Sequence, residues 1–205
     1  MHYTTLASAE TVDRTTEALR TNNIEVFKVD TGAEALETIK NLIPTGASVM
    51  NGSSVTLEKM GYIEYLKSGT HGWNNLHETI LAEQDPVKQA QLRKQATLSD
   101  YYLGSVHALT EAGEFIIASN TGSQLPHIVF TSPNLIFVVS TQKIVFTLAE
   151  AMQRLEEHVF PLEDKRLKEK FGVGTMLSKI VIFKNENPRL GRKVKMILVN
   201  EKLGF

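Results

Sequence analysis

Ile24-Glu25-Val26-Phe27-Lys28-Val29 alternates apolar and polar side chains, and Thr31 and Glu34 follow at once, with Leu36, Ile39 and Ile43 at helical spacing. The first run has the period of a strand with one buried face. Thr31 and Glu34 form a capping-box pattern that opens a helix, and Pro44-Thr45-Gly46 ends it. Ala47-Ser48-Val49-Met50 is then a short buried strand, which runs through Asn51-Gly52-Ser53-Ser54 into a helix carrying Leu57 and Met60. Upstream, residues 8–22 place Val12, Thr16 and Leu19 near one face of an amphipathic helix. Helix, strand, helix, strand, helix over the first sixty residues argues for a mostly parallel sheet covered by helices. The expected fold class is α/β, a three-layer αβα arrangement.

Beyond this unit, Tyr62 to Leu66 reads as a short helix and Ser68 to Asn75 as a polar loop holding the only tryptophan, Trp73. Asp85-Pro86 opens a helix to about Leu98 with Val87, Leu92 and Ala96 as inward residues, and Tyr101 to Val106 reads as a strand. His127-Ile128-Val129-Phe130 and Leu135 to Val139 are expected as core strands. Thr147 and Glu150 make a second capping box for a helix through Leu148, Met152 and Leu155, stopped by Pro161. Leu162 to Phe171 reads as an exposed, charged helix, within which Glu163 to Lys170 is a solvated face. Lys179 to Phe183 and Val194 to Val199 are two late strands joined by the turn Asn187-Pro188-Arg189-Leu190-Gly191. With no internal repeat, low-complexity run or linker, residues 1–205 read as one domain.

The hydrophobic share of 42% suits a chain that buries a core, and a net charge of −1 without clustered Lys or Arg argues against a nucleic-acid surface. The chain has no cysteine, which excludes disulfides, a thiolate nucleophile and any Fe–S cluster or zinc site held by its own cysteines. That composition fits a cytoplasmic protein. No apolar run approaches the roughly 20 residues that span a bilayer, and Met1-His2-Tyr3-Thr4-Thr5 lacks the features of a signal peptide.

Three bends carry the candidate chemistry. Ala108-Leu109-Thr110-Glu111-Ala112-Gly113-Glu114 reads as a turn presenting a carboxylate beside the buried strand Phe115 to Ser119. Glu111 there serves as nucleophile, general base or substrate-orienting carboxylate, with Thr110 and Gly113 beside it; the same residues also suit an ordinary solvated hairpin corner. Asn120, Thr121 and Gly122 form a second turn able to supply hydrogen bonds. Gly52, Ser53 and Ser54, between a strand and a helix, either cradle an anion or provide a plain serine N-cap. Their spacing matches neither a P-loop nor a dinucleotide fingerprint. If the three bends meet at one end of the sheet, they form a pocket for a small anionic ligand. His71 and His77 lie six apart, not the four that put two ligands on one helical face, so no metal and no cofactor is read from them, and His107 sits beside the Glu111 turn. Trp73 stacks on a ligand or covers the core edge.

Gly52-Ser53-Ser54-Val55-Thr56-Leu57-Glu58, Ser99-Asp100, the Ala108 to Glu114 block, Pro126 to Phe130, Leu135 to Thr147 and Pro161-Leu162-Glu163-Asp164 together resemble the LUD (lactate-utilisation, LutC/YkgG-type) domain family from about Thr16 to Leu198. The resemblance implies a NagB/RpiA/CoA-transferase-like fold and a link to oxidation of lactate to pyruvate alongside iron–sulfur oxidoreductase proteins, with homo-oligomerisation left open. In the CoA-transferase branch of that superfold a glutamate of a Glu-x-Gly motif attacks the acyl group, and Glu111 with Gly113 is similar in form. The family's second turn commonly reads Gly-Asn-Arg, whereas Thr121-Gly122-Ser123-Gln124 has no arginine to clamp a carboxylate. Two alternatives stand beside this reading: an enzyme acting on a phosphosugar or acyl-CoA, and a non-catalytic docking subunit with an apolar patch near Trp73 or Phe171.

Overall fold

A computed structural model describes residues 3–205; Met1 and His2, the start of the stretch read for a signal peptide, lie outside it. Ser8 caps α1 (Ala9–Thr21), which buries Thr15, Thr16 and Leu19. β1 (Ile24–Val29) alternates as its sequence requires and leads into α2 (Gly32–Leu42). There the Glu34 amide donates to Thr31 Oγ1 at 3.2 Å, while the Glu34 carboxylate accepts from the Asp30 amide at 2.9 Å, one residue before the expected partner. β2 (Ser48–Asn51), α3 (Val55–Lys59), α4 (Tyr62–Lys67), the two-residue β3 (Asn74–Asn75), α5 (Leu76–Ala82) and α6 (Pro86–Gln95) follow. Next come β4 (Tyr101–Gly104), β5 (Ala108–Thr110), β6 (Phe115–Ser119), β7 (Asn134–Ser140) and β8 (Ile144–Val145). α7 (Leu148–Arg154), α8 (Phe160–Phe171), β9 (Lys179–Phe183) and β10 (Lys193–Val199) complete the order. Among the described residues no helix is long and apolar enough to cross a membrane.

Six strands form one parallel sheet in the order β1-β10-β7-β4-β2-β3. β7 and β10 lie inside it and are buried on both faces, which explains the apolar runs Leu135 to Val139 and Met196 to Val199. One face carries Val49, Leu103, Ile136, Val138, Ile197 and Val199 and packs against Ala35 and Ile39 of α2, Leu57 of α3 and Tyr62 and Leu66 of α4. The other carries Ile24, Val26, Leu135, Phe137, Val139, Met196 and Leu198 and receives Leu19 of α1. The result is the three-layer αβα build. Beside α1 a second sheet, ordered β8-β5-β6-β9, shares that layer. Leu109, Phe115 and Ile117 face the large sheet, with the Phe115 and Phe137 rings 5.4 Å apart, while Ala108, Ile116 and Ala118 on the reverse side are covered by Ala151, Leu155 and Val159.

Topology also sets a switch point in the sheet. From β2 the chain moves outward to β3, whereas from β4 it moves inward to β7. These neighbouring strands therefore send their connections in opposite directions, and in open α/β sheets ligands bind in the crevice at such a point, beyond the carboxyl ends of the strands.

Four expectations from the sequence are overturned. His127–Thr131 is a wide π-type turn, not a strand; His127 and Ile128 are buried, but Phe130 is 70% exposed. Tertiary contacts override the β-rich composition: the His127 ring stacks on Tyr102 with centroids 4.6 Å apart, and Arg192 binds the His127 and Ile128 carbonyls. Pro161 does not stop its helix. α7 passes through a π turn at Leu155–Val159 into α8, and the altered register accommodates the residue without an N–H. Val87 is exposed, because α6 buries none of its residues. β4 ends at Gly104, two residues short of Val106. β9 and β10, the strands on either side of the Asn187 to Gly191 turn, belong to different sheets. Phe137 is fully buried where the two sheets meet, so Phe137→Ala is expected to lose about 3–5 kcal/mol, measurable by urea unfolding with an unchanged slope.

Candidate functional site

A cleft of about 100 Å³ opens at the switch point between β2 and β4. Gly52 to Thr56 after β2, Gly104 to His107 after β4, and Lys143 after β7 form its walls, with Gly204 and Phe205 closing one side and Val159, Glu163 and Arg166 forming the rim. Each wall leaves the carboxyl end of a parallel strand, so the sheet itself brings these distant residues together.

Lys143 stands in the wall with only 4% of its surface exposed. Its Nζ donates to Thr56 Oγ1 at 3.0 Å, Ser105 Oγ at 3.0 Å and the Val106 carbonyl at 3.2 Å. Because both hydroxyl oxygens accept from the ammonium, their own protons are free to donate to a guest in the cleft. Burial, with Arg154 and Lys59 adding positive charge, brings the amine down to about 7. Arg154, fully buried on α7, donates to the His107 carbonyl, and its Nε and Nη2 have no partner. Burial lowers its guanidinium to about 10. Among the described residues neither Lys143 nor Arg154 has a carboxylate within ion-pair distance. At the rim, by contrast, Arg166 is neutralised by two 2.7 Å bonds to Glu163 and reaches Ser53 Oγ at 3.4 Å. His107 is held neutral: its Nδ1 accepts the Ala118 amide at 3.1 Å, and burial, followed by the charges of Lys143 and Arg154, pushes its ring down to about 3.

Two glycines keep the cleft open. A Cβ on Gly52 would lie 2.5 Å from Tyr102 Oη and 2.8 Å from Gln124 Oε1. Gly204 has φ +72°, and a side chain there would strike Thr56 Oγ1 and stand 3.2 Å from Lys143 Nζ.

Of the residues singled out by sequence, Gly52, Ser53 and Ser54 line the cleft, and Ser54 also caps α3 by accepting the Leu57 amide at 3.3 Å. Thr110, Glu111, Gly113, Asn120, Thr121 and Gly122 are not among its lining residues. They sit on bends of the second sheet that dock elsewhere. Glu111 Oε2 accepts from Arg14 Nη2 at 2.8 Å and Nε at 3.2 Å, and the Ala112 carbonyl accepts from Asn22, so this hairpin leans on α1. Thr110 Oγ1 closes the hairpin on the Glu114 amide, and Gly113 turns at φ +78° where a Cβ would meet Leu19 N at 2.9 Å. Asn120 binds Ser178 and Lys179, Thr121 bonds Ser123, and Gly122 lies against the Lys179 stem. From this second turn only Gln124 reaches the cleft.

Trp73 covers the core edge, its Nε1 donating to the Ile43 carbonyl at 3.2 Å with the His71 ring stacked on it. Among the described residues no three of His, Asp and Glu are grouped to hold a metal ion. The sequence reading passed over Lys143, Arg154, Ser105 and Thr56. The available signal was Thr141-Gln142-Lys143, a polar triplet directly after a fully buried strand, which in a parallel sheet marks the ligand edge.

The model of the LUD domain matches residues 12–182, and the chain belongs to that family. A search of curated proteins finds no match. The crystal structure of a DUF162 family protein from Deinococcus radiodurans superposes with a TM-score of 0.57 at 13% identity, covering 96% of this chain and 100% of that one, a likeness of fold.

The Gly52 contact predicts a specific rescue. Gly52→Ala is expected to lose about 1–3 kcal/mol through overpacking, and adding Tyr102→Phe, which removes the clashing hydroxyl, is expected to restore at least half of that loss in a thermal-unfolding double-mutant cycle. Equal loss in the single and double variants would show that the hydroxyl is not the obstacle.

Proposed function

We propose that the cleft holds a small carboxylate, and that the protein serves the lactate–pyruvate chemistry associated with its family, in the cytoplasm beside an iron–sulfur oxidoreductase. One observation carries the site: Lys143, buried in the cleft wall, has no carboxylate among the described residues to offset it, and the buried guanidinium of Arg154, which does not itself line the cleft, adds its positive charge. A buried charge without a counterion is costly, and a bound anion supplies what is missing. Thr56 and Ser105 add hydroxyl donors, and in the same loop the Ser53 and Ser54 N–H groups have no main-chain acceptor among the described residues, whereas the Gly52 N–H is taken by the Leu103 carbonyl. The cysteine-free chain leaves any cluster to the partner. Family membership supports the lactate connection, and Glu111, engaged by Arg14, is assigned no part in holding the anion.

Isothermal calorimetry with pyruvate, L-lactate and inorganic phosphate tests this reading. Lys143→Met is expected to weaken carboxylate binding at least tenfold, about 1.4 kcal/mol. Wild-type affinity retained in this variant would overturn the assignment, and an equal loss in Glu111→Gln would return that carboxylate to the site. The pH dependence has a definite sign. Between about 7 and 10.5 the folded chain carries Lys143 neutral while the unfolded chain still carries it protonated, so stability rises with pH across that window. Anion affinity, which needs the ammonium, falls across it by up to tenfold per pH unit and is accompanied by proton uptake. Opposite trends of stability and affinity are therefore expected, and both are expected to vanish in Lys143→Met.

A further inference from the structure

Ser105 follows directly on β4 and lines the cleft in a half-buried position. Its Oγ is 3.0 Å from Lys143 Nζ, and Lys143 is oriented in turn by Thr56 Oγ1 at 3.0 Å and the Val106 carbonyl at 3.2 Å. A hydroxyl, a base within hydrogen-bond reach and a third group that fixes the base is the arrangement that activates a nucleophile, and lysine fills the base position in Ser-Lys sites. A lysine base must hold a free lone pair near neutral pH. The groups around Lys143 provide for that: Arg154 on α7 and Lys59 on α3 are cations, His107 is neutral, and the rim carboxylate of Glu163 on α8 is taken by Arg166. Ser53 and Ser54 line the same cleft, and among the described residues their main-chain N–H groups have no main-chain acceptor, so they are candidate donors to a developing oxyanion.

We propose that Ser105 is a nucleophile with Lys143 as its general base, and that this cleft hydrolyses small carboxylic esters. The neutral Lys143 amine takes the proton of Ser105 Oγ–H as Oγ bonds to the acyl carbon. Collapse of the tetrahedral adduct breaks the bond to the leaving alcohol oxygen, which departs with the proton from Lys143. A water molecule then gives a proton to Lys143 and attacks the acyl-Ser105. Breaking the Oγ–acyl bond returns a proton to Ser105 and releases the carboxylate, so the sum is ester plus water to acid plus alcohol. The proposal rests on the anion reading above, because the released carboxylate is the small anion that the buried cations hold.

The full chain is treated with an alkyl fluorophosphonate and, separately, with p-nitrophenyl acetate, and the labelled residue is located by peptide mapping. Label on Ser105 of the unsubstituted protein is expected, at a rate that climbs as pH passes through about 7. Ser105→Ala is expected to lose labelling and at least 100-fold of the esterase rate, and Lys143→Met to lose both. Label elsewhere, or an esterase rate unchanged in Ser105→Ala, overturns the dyad. Pyruvate binding with Ser105 unlabelled overturns the dyad alone, whereas Ser105 labelling without any anion binding overturns the anion reading and leaves the dyad standing. Mapping on the unsubstituted chain keeps the test valid if a variant fails to fold.

Discussion

Three segments far apart in the chain meet at one ammonium. Lys143, just past β7, bonds Thr56 behind β2 and Ser105 and Val106 behind β4. The sheet sets the carboxyl ends of three parallel strands side by side, and the ammonium ties the segments that leave them to one point. Such a bond set in a dry wall has to overcome the desolvation of a positive charge, and the site answers in part by lowering the proton affinity of the amine.

Arg154 compounds the problem, since a guanidinium keeps its proton at neutral pH and only one of its terminal nitrogens finds a carbonyl, that of His107. Uncompensated positive charge is thus buried at and near Lys143, while these carboxylates are engaged elsewhere: Glu163 with Arg166 at the rim, Glu111 with Arg14 on the far hairpin, and Glu186 with Arg192. Each of those carboxylates has its own arginine. The unpaired field acts on whatever enters from solvent, and with a lone pair freed near neutrality the same lysine can serve as a positive contact or as a proton acceptor.

Much of the sheet was legible in sequence because its signals are local. Alternation in Ile24 to Val29, caps at Thr31, Asp85 and Thr147, and apolar runs in β7 and β10 each arise within a few residues of the feature they define. Gly52 to Ser54 was legible too, since a glycine and two hydroxyls between strand and helix mark a strand's carboxyl end. The rest of the site was not, because it depends on which strands are neighbours. Ser105 and Lys143 look like ordinary polar residues until β4 and β7 are seen to lie side by side. The bends at Glu111 and Gly122 carry the same local signature as a ligand turn, yet they belong to the second sheet, whose turns close on α1 and β9. Composition could not separate the two sheets, for both are built from the same apolar strand residues.

Pro161 shows how a misread punctuation mark shapes the site. An α-helical register would set the proline ring against the carbonyl four residues earlier. The π turn at Leu155–Val159 changes that register, so the helix runs on into α8 instead of ending. Val159 closes the turn on the underside of the small sheet, and Glu163 and Arg166, one and two turns further along, arrive at the cleft rim. α7 meanwhile holds Arg154 in the interior. Had the proline broken the helix, no continuous rod would join the buried guanidinium to the rim ion pair. The wide turn is therefore a positioning element, and it fixes the separation between the uncompensated charge inside and the neutralised pair at the entrance.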